Sequence, residues 1–479
     1  MKLSYYIKFP NPINYVNELF KSNQLNILPS KTIRPFLFGT VGLSFILVSY
    51  DFGFTIAANA SYEPVLRFST GDGMPIVNDP NLHVEVVAEG LEFPTTVAFL
   101  GSDDILVLEK AKGTVQRIIN GNIVQEPLLD VNVASSVERC MCGIAISKNF
   151  IPGHIYVFLY YTEVESTDGE DINRGKDPVG NRLYRYEFIN DKLVNPKLLL
   201  DLPAFPGPRH NGGAIAIGPD NNSLYIPIGD VDGSFNPKGQ FVRTMTQNYL
   251  NSSLVDGRSG ILKVSLVDGK LADKKGVLGD EYPLNLYYAY GIRNSFGIDF
   301  DPLSGNLWDT ENGPAYGDEI NLVERGFNSG YTPVHGIWSD GVNPKSPVSN
   351  WSVASVNPNG LVDFDGKGKY SLPEFTWVDG VGVTAIKFFH SNKYGEQYED
   401  DMFVADVHNG NIYQFQLNED RTEMVLPHAL NDRIANNVSE LKDMIFGQGF
   451  GGITDLELGP DGYLYIVSIG QGKIFRIVP

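Results

Sequence analysis

From Val97 to the C-terminus the chain repeats one short theme. A run of two or three apolar residues alternating with small or polar ones meets a polar turn, and a second apolar run follows. Val97-Ala98-Phe99 leads through Ser102-Asp103-Asp104 to Ile105-Leu106-Val107, and Ile144-Ala145-Ile146 through Pro152-Gly153 to Ile155-Tyr156-Val157. The theme returns at 214–217 with 224–226, 298–300 with 306–308, 385–389 with 401–404, and 456–458 with 464–466. Several copies add a third run after a glycine turn, as at 113–118, 410–415 and 472–477. The period is two, which predicts half-buried strands rather than helices. Six strand-turn-strand-turn-strand copies at uneven intervals predict an all-β fold, a six-bladed β-propeller with long inter-strand loops, over residues 80–479. A pair of β-sandwiches fits the count less well. The last copy ends with three strands. The segment 82–87 is placed to supply a fourth, which would close the ring and remove an open edge.

Ahead of the repeats, residues 1–60 form a separate segment. Lys31 and Arg34 precede an apolar run, 35–50, and Ala58-Asn59-Ala60 fits a small-residue cleavage pattern. The expectation is a secretory signal or a membrane anchor, which puts the domain outside the cytoplasmic membrane and limits membrane association to this segment. N-glycosylation sequons, among them those at Asn251, Asn350 and Asn437, are compatible with secretion. The formal net charge of −20 argues against a nucleic-acid partner. Cys140 and Cys142 are the two cysteines, too few for a disulfide framework. They are read as two small buried strand residues, in preference to a soft-metal site or a strained bridge.

Three segments carry candidate chemistry. In Arg209-His210-Asn211-Gly212-Gly213 a histidine stands at the mouth of a strand, beside glycines that let a ligand approach the backbone, and His210 is a candidate proton acceptor. In Tyr290-Gly291-Ile292-Arg293-Asn294, Arg293 precedes a strand. Its guanidinium serves either a polar ligand or blade-edge carbonyls, and the residues alone do not separate the two. The third segment, 310–321, sets Glu311, Asp318 and Glu319 around Gly313-Pro314, an oxygen-rich loop suited to a hard cation such as calcium, although its spacing is not that of an EF-hand.

In this order and on this repeat, the three segments resemble the glucose/sorbosone dehydrogenase family, which includes soluble aldose dehydrogenases that use pyrroloquinoline quinone (PQQ). Glu138 to Ala145, Asn328-Ser329-Gly330-Tyr331 and Asp455 to Ile466 add to the likeness, which spans about residues 82–479. The resemblance implies a six-bladed propeller that holds PQQ over its central channel. It makes His210 the general base on the sugar's anomeric hydroxyl, Arg293 and Asn294 contacts of the quinone, and the Gly313 and Pro314 carbonyls calcium ligands. The chain departs from the family where a Lys of the fifth repeat is replaced by His408. It departs again before Asp455, where two arginines are replaced by Gly452 and Thr454. PQQ bears three carboxylates, and each unpaired buried charge costs roughly several kcal/mol.

The function these readings imply is oxidation of a sugar or polyol by an exported enzyme with PQQ, calcium and an external electron acceptor. The alternatives are a carbohydrate- or protein-binding propeller that has lost quinone binding, and a calcium-dependent hydrolase of lactonase type.

Overall fold

The computed structural model describes residues 73–479, apart from 149–150, 232–233, 236–240, 243–244, 249–254, 315, 332 and 338–360. The segment 1–60 and the sequons at Asn251 and Asn350 lie outside the described residues.

Each repeat folds as a sheet whose first strand lies innermost; successive strands pair antiparallel, except for parallel pairs at the outer edges of the third and fourth sheets. The innermost strands are Pro94–Gly101, Met141–Ser147, Ala216–Ile217, Ser295–Phe300, Val383–Phe388 and Ile453–Leu458. Each packs against the next in that order, and Ile453–Leu458 packs back on Pro94–Gly101, so six sheets of four or more strands close a ring. This is an all-β propeller. A separate two-stranded hairpin, Ser234–Phe235 with Phe241–Val242, lies in the long insert of the third sheet. The ring is latched twice. Strand His83–Glu89 pairs antiparallel with the last strand, Lys473–Val478. Inside the ring, Asp455 Oδ2 accepts from Thr96 Oγ1 (2.7 Å) and Val97 N (3.0 Å).

The expectation of half-buried strands needs correction for the second strand of each sheet. Ser223–Ile228, Leu307–Glu311, Met402–Asp406 and Leu464–Ser468 are buried at every residue. A sheet in the ring has a neighbour on both faces, so its middle strand has no solvent side, and apolar residues occupy both sets of alternate positions. Aromatic rings fill the wedges between sheets, among them Trp308, Phe375, Trp377 and Phe415 in one cluster.

The cysteines also depart from expectation. Cys140 and Cys142 are joined as a disulfide, with Cα atoms 5.2 Å apart. A regular strand separates residues i and i+2 by roughly 6.7 Å. A register shift between Met141 and Gly143 shortens that separation and brings the two sulfurs together.

Candidate active site

His210 ends the loop that enters the third sheet. Its backbone is left-handed (φ 59°), a conformation that costs a non-glycine residue roughly 1 kcal/mol or more, and two carboxylates hold it there. Glu138 Oε2 accepts from His210 N at 2.7 Å, and Asp230 Oδ1 lies 2.5 Å from His210 Nδ1. His210 and Asp230 are both buried. Asp230 stands at this position because Gly229 precedes it. A Cβ at 229 would lie 2.3 Å from Arg293 O and 2.7 Å from His210 Cβ, so only glycine lets the two segments pass this closely.

Those contacts reach Arg293 and Asn294. Asp230 N donates to Arg293 O (3.0 Å), and Asn294 Nδ2 donates to the same Glu138 Oε2 that receives His210 N (3.2 Å). Arg293 N donates to Glu311 Oε1 (2.6 Å), and its guanidinium donates to Asn312 O (2.7 Å) and lies over the Tyr331 ring at 5.8 Å. The guanidinium therefore does bind a backbone carbonyl, one of the two roles left open by the sequence. That carbonyl belongs to the residue before Gly313, so the same bond ties Arg293 to the Gly313-Pro314 turn.

Gly313 N donates to Asp318 Oδ1 (2.8 Å), whose Oδ2 accepts from Gly382 N (2.7 Å). A Cβ on Gly382 would lie 3.0 Å from His408 Nε2, and His408 Nδ1 lies 3.3 Å from Gly380 O. Burial raises the Asp318 carboxyl pKa, and the backbone donors Gly313 N and Gly382 N oppose that rise. His210, Arg293, Asn294, Gly313 and His408 are thus joined by one continuous set of contacts; Pro314 is half-buried beside Gly313. At the two departures from the family pattern, Gly452 is buried and Thr454 Oγ1 donates to Pro94 O (3.2 Å), so neither brings charge.

Below the Gly313 turn lies a group that sequence reading did not assemble. Glu311 and Glu319 face each other across paired strands, and His335 comes from a later loop. All three are buried, and their ligand atoms lie within 4.8 Å of one another. Glu319 Oε1 is 3.5 Å from His335 Nδ1 and accepts from Gly336 N, and Glu311 Oε2 accepts from Ser329 Oγ (2.6 Å). Burial, then the neighbouring Asp309, pushes the Glu311 carboxyl up to about 8; burial alone pushes Asp309 up to about 7. Burial, then Arg293, pushes His335 down to about 3, leaving it neutral at ordinary pH. Buried carboxylates beside a neutral imidazole are a donor set that a divalent cation would stabilise.

Glu138 and Asp230 also escaped assignment to the site. Asp230 had a local signal, a carboxylate directly after a glycine at the end of a strand. Glu138 had none beyond its place in a stretch that looked like the family, and nothing in sequence pairs His335 with the glutamates.

A β-propeller with a buried His–Asp pair, an Arg–Asn pair and a carboxylate-rich loop in one contact network defines a class of site for polar ligands. Residues 91–476 match the glucose/sorbosone dehydrogenase family, and the chain belongs to it. It is 24% identical over 409 residues to the aldose sugar dehydrogenase YliI of Escherichia coli, covering 83% of this chain and 93% of that one. It is 30% identical over 301 residues to quinoprotein glucose dehydrogenase B of Acinetobacter calcoaceticus, covering 59% of each. Among solved structures, the PQQ-bound aldose sugar dehydrogenase of Streptomyces coelicolor superimposes with a TM-score of 0.55 at 20% identity, covering 84% of this chain and 99% of that one.

Proposed function

We propose that this protein oxidises a sugar or polyol hydroxyl, with PQQ as the immediate oxidant and calcium as its partner, and that it acts outside the cytoplasmic membrane after export directed by residues 1–60. Reading each of the six sheets as one blade, the scaffold is a six-bladed propeller. The observation that carries the proposal is the 2.5 Å contact between His210 Nδ1 and Asp230. A carboxylate there accepts the Nδ1 proton, which sets the imidazole tautomer with its lone pair on Nε2 and stabilises the imidazolium formed when Nε2 takes a proton.

In this reading the substrate hydroxyl gives its proton to His210 Nε2 as the hydroxyl carbon gives up a hydride. When bound, PQQ supplies the two-electron acceptor for that hydride. Arg293 and Asn294 would hold and polarise the quinone, and His408 stands across the Gly313 turn. Glu138 holds the His210 backbone and the Asn294 side chain in one frame. The cation would be held by the Gly313 and Pro314 carbonyls, with the Glu311 and Glu319 carboxyls giving up their protons to favour it. An external electron acceptor would be needed to complete the turnover. Quinone affinity is expected to be weaker than in relatives with the full set of cations, because Gly452 and Thr454 offer no charge to its carboxylates.

The test is titration of the calcium-loaded protein with PQQ, followed by dye reduction with a panel of aldoses and polyols. Saturable binding with sugar-dependent dye reduction, abolished in His210→Gln, is the expected result. Absence of both in a folded protein would overturn the assignment and leave the second reading, a carbohydrate-binding propeller, which the missing cations favour.

A further inference from the structure

Glu138 does its holding from the loop 135–139, and that loop rests on a half-buried lysine. Lys110, directly after the strand Asp104–Glu109, donates through Nζ to Ser135 O (3.0 Å) and Arg139 O (2.9 Å), the carbonyls at the two ends of the loop. Its own carbonyl accepts from Met141 N (3.1 Å). From the other side Asp171 accepts from Ser135 N and Ser136 N (3.1 Å each) and pairs with Arg139 NH1 at 3.2 Å, both side chains being almost fully buried. Arg139 NH2 then donates to Ala204 O (2.8 Å) and Gly207 O (3.3 Å), on the segment leading to His210, and Glu138 N donates to Pro208 O (3.1 Å).

Even partial burial of an ammonium is costly, and sequence position gives this one no local reason to be there. Its geometry supplies the reason. Both of its backbone acceptors flank Glu138, and its charge opposes those of Asp171 and Glu138, the two groups whose fields act on it. Glu138 Oε2 receives His210 N and Asn294 Nδ2.

We propose that Lys110 is a positioning residue of this site: by clamping the Ser135 and Arg139 carbonyls, it sets the Glu138 carboxylate and, through it, the backbone of His210 and the side chain of Asn294. The catalytic consequence rests on the oxidoreductase reading above; the geometric claim does not.

Lys110→Met in the full chain, labelled with 15N-histidine, tests it. The chain has seven histidines, and the His210 amide is identified as the signal lost in His210→Gln. Glu138→Gln provides the reference shift for loss of the carboxylate acceptor. The expected result is that Lys110→Met moves the His210 amide in the same direction as Glu138→Gln and lowers sugar-dependent dye reduction about 10- to 100-fold, chiefly in kcat. A His210 amide unmoved by Lys110→Met, while Glu138→Gln shifts it, overturns the proposal. Should Lys110→Met fail to fold, Lys110→Gln, which keeps a donor without the charge, is read in the same way. If the parent reduces no dye, the oxidoreductase reading fails, and the amide shift still decides the role of Lys110.

Discussion

Asp230→Asn is the sharpest perturbation of the His210 pair. The substitution keeps the shape of the side chain and leaves the backbone bond from Asp230 N to Arg293 O in place. It removes the negative charge 2.5 Å from His210 Nδ1 and replaces a pure acceptor with an amide that can present either oxygen or nitrogen. A hydrogen bond to a charged group contributes about 1.5–3 kcal/mol. In the proposed reaction it is strongest when His210 carries the proton, so the loss falls on the rate rather than on substrate binding. At about 1.4 kcal/mol per decade, kcat should fall roughly 10- to 150-fold with KM little changed. The assay is steady-state dye reduction by the PQQ- and calcium-loaded protein with its best aldose, parent and variant compared at one pH. An active parent whose kcat survives Asp230→Asn within threefold would show that the charge is not used in proton transfer, and the base would have to be sought elsewhere.

Other outcomes follow from the same structure. Calcium at a hundred times its dissociation constant should stabilise the fold by about 2.7 kcal/mol, which for a domain of roughly 400 residues is a rise of about 3 °C in Tm; a Tm indifferent to calcium and to chelation would remove the cation from the site. Asp406 is raised by burial from 3.8 to about 6, so the folded state holds its proton where the unfolded state has lost it. Its contribution is complete below about pH 4 and is lost as pH rises through 6, with a slope of at most about 1.4 kcal/mol per pH unit. Asp406→Asn should therefore lose less stability than the parent between pH 4.5 and 6.5 in urea unfolding, and equal losses would count against the burial argument. Combining His408→Lys, Gly452→Arg and Thr454→Arg should tighten PQQ binding at least about tenfold, since each charge-assisted bond to a carboxylate contributes about 1.5–3 kcal/mol; an unchanged Kd would mean that those positions do not face the quinone.

How much of this could be read without coordinates depends on the range of each interaction. Alternation at 97–99 or 456–458 is a local property of the strand, and turns such as Gly218-Pro219-Asp220 are set by their own residues. The repeat, the latch formed by His83–Glu89 and the three loop segments at strand mouths were therefore visible in the chain. The segment His210-Asn211-Gly212-Gly213 stood out because glycine there has a backbone reason: a Cβ at 212 would lie 2.5 Å from Pro227 O. The double burial of Leu307–Glu311 was not visible, because whether a strand has a solvent face depends on which sheets flank it. The Cys140–Cys142 bond was missed because it depends on a register shift against the neighbouring strand.

The sequence by itself determined the strand periods, the order of the sheets, and His210, Arg293 and Asn294 as residues worth watching. Tertiary structure decided which carboxylates serve them. Glu138 meets His210 across 72 residues and Asn294 across 156, and Glu311 meets Glu319 only because their two strands pair in that register. The physical reason is that a side chain's chemistry is set by what lies within a few ångströms of it. In a closed ring of sheets those neighbours come from distant repeats, brought together by ring closure and loop packing that no local pattern encodes.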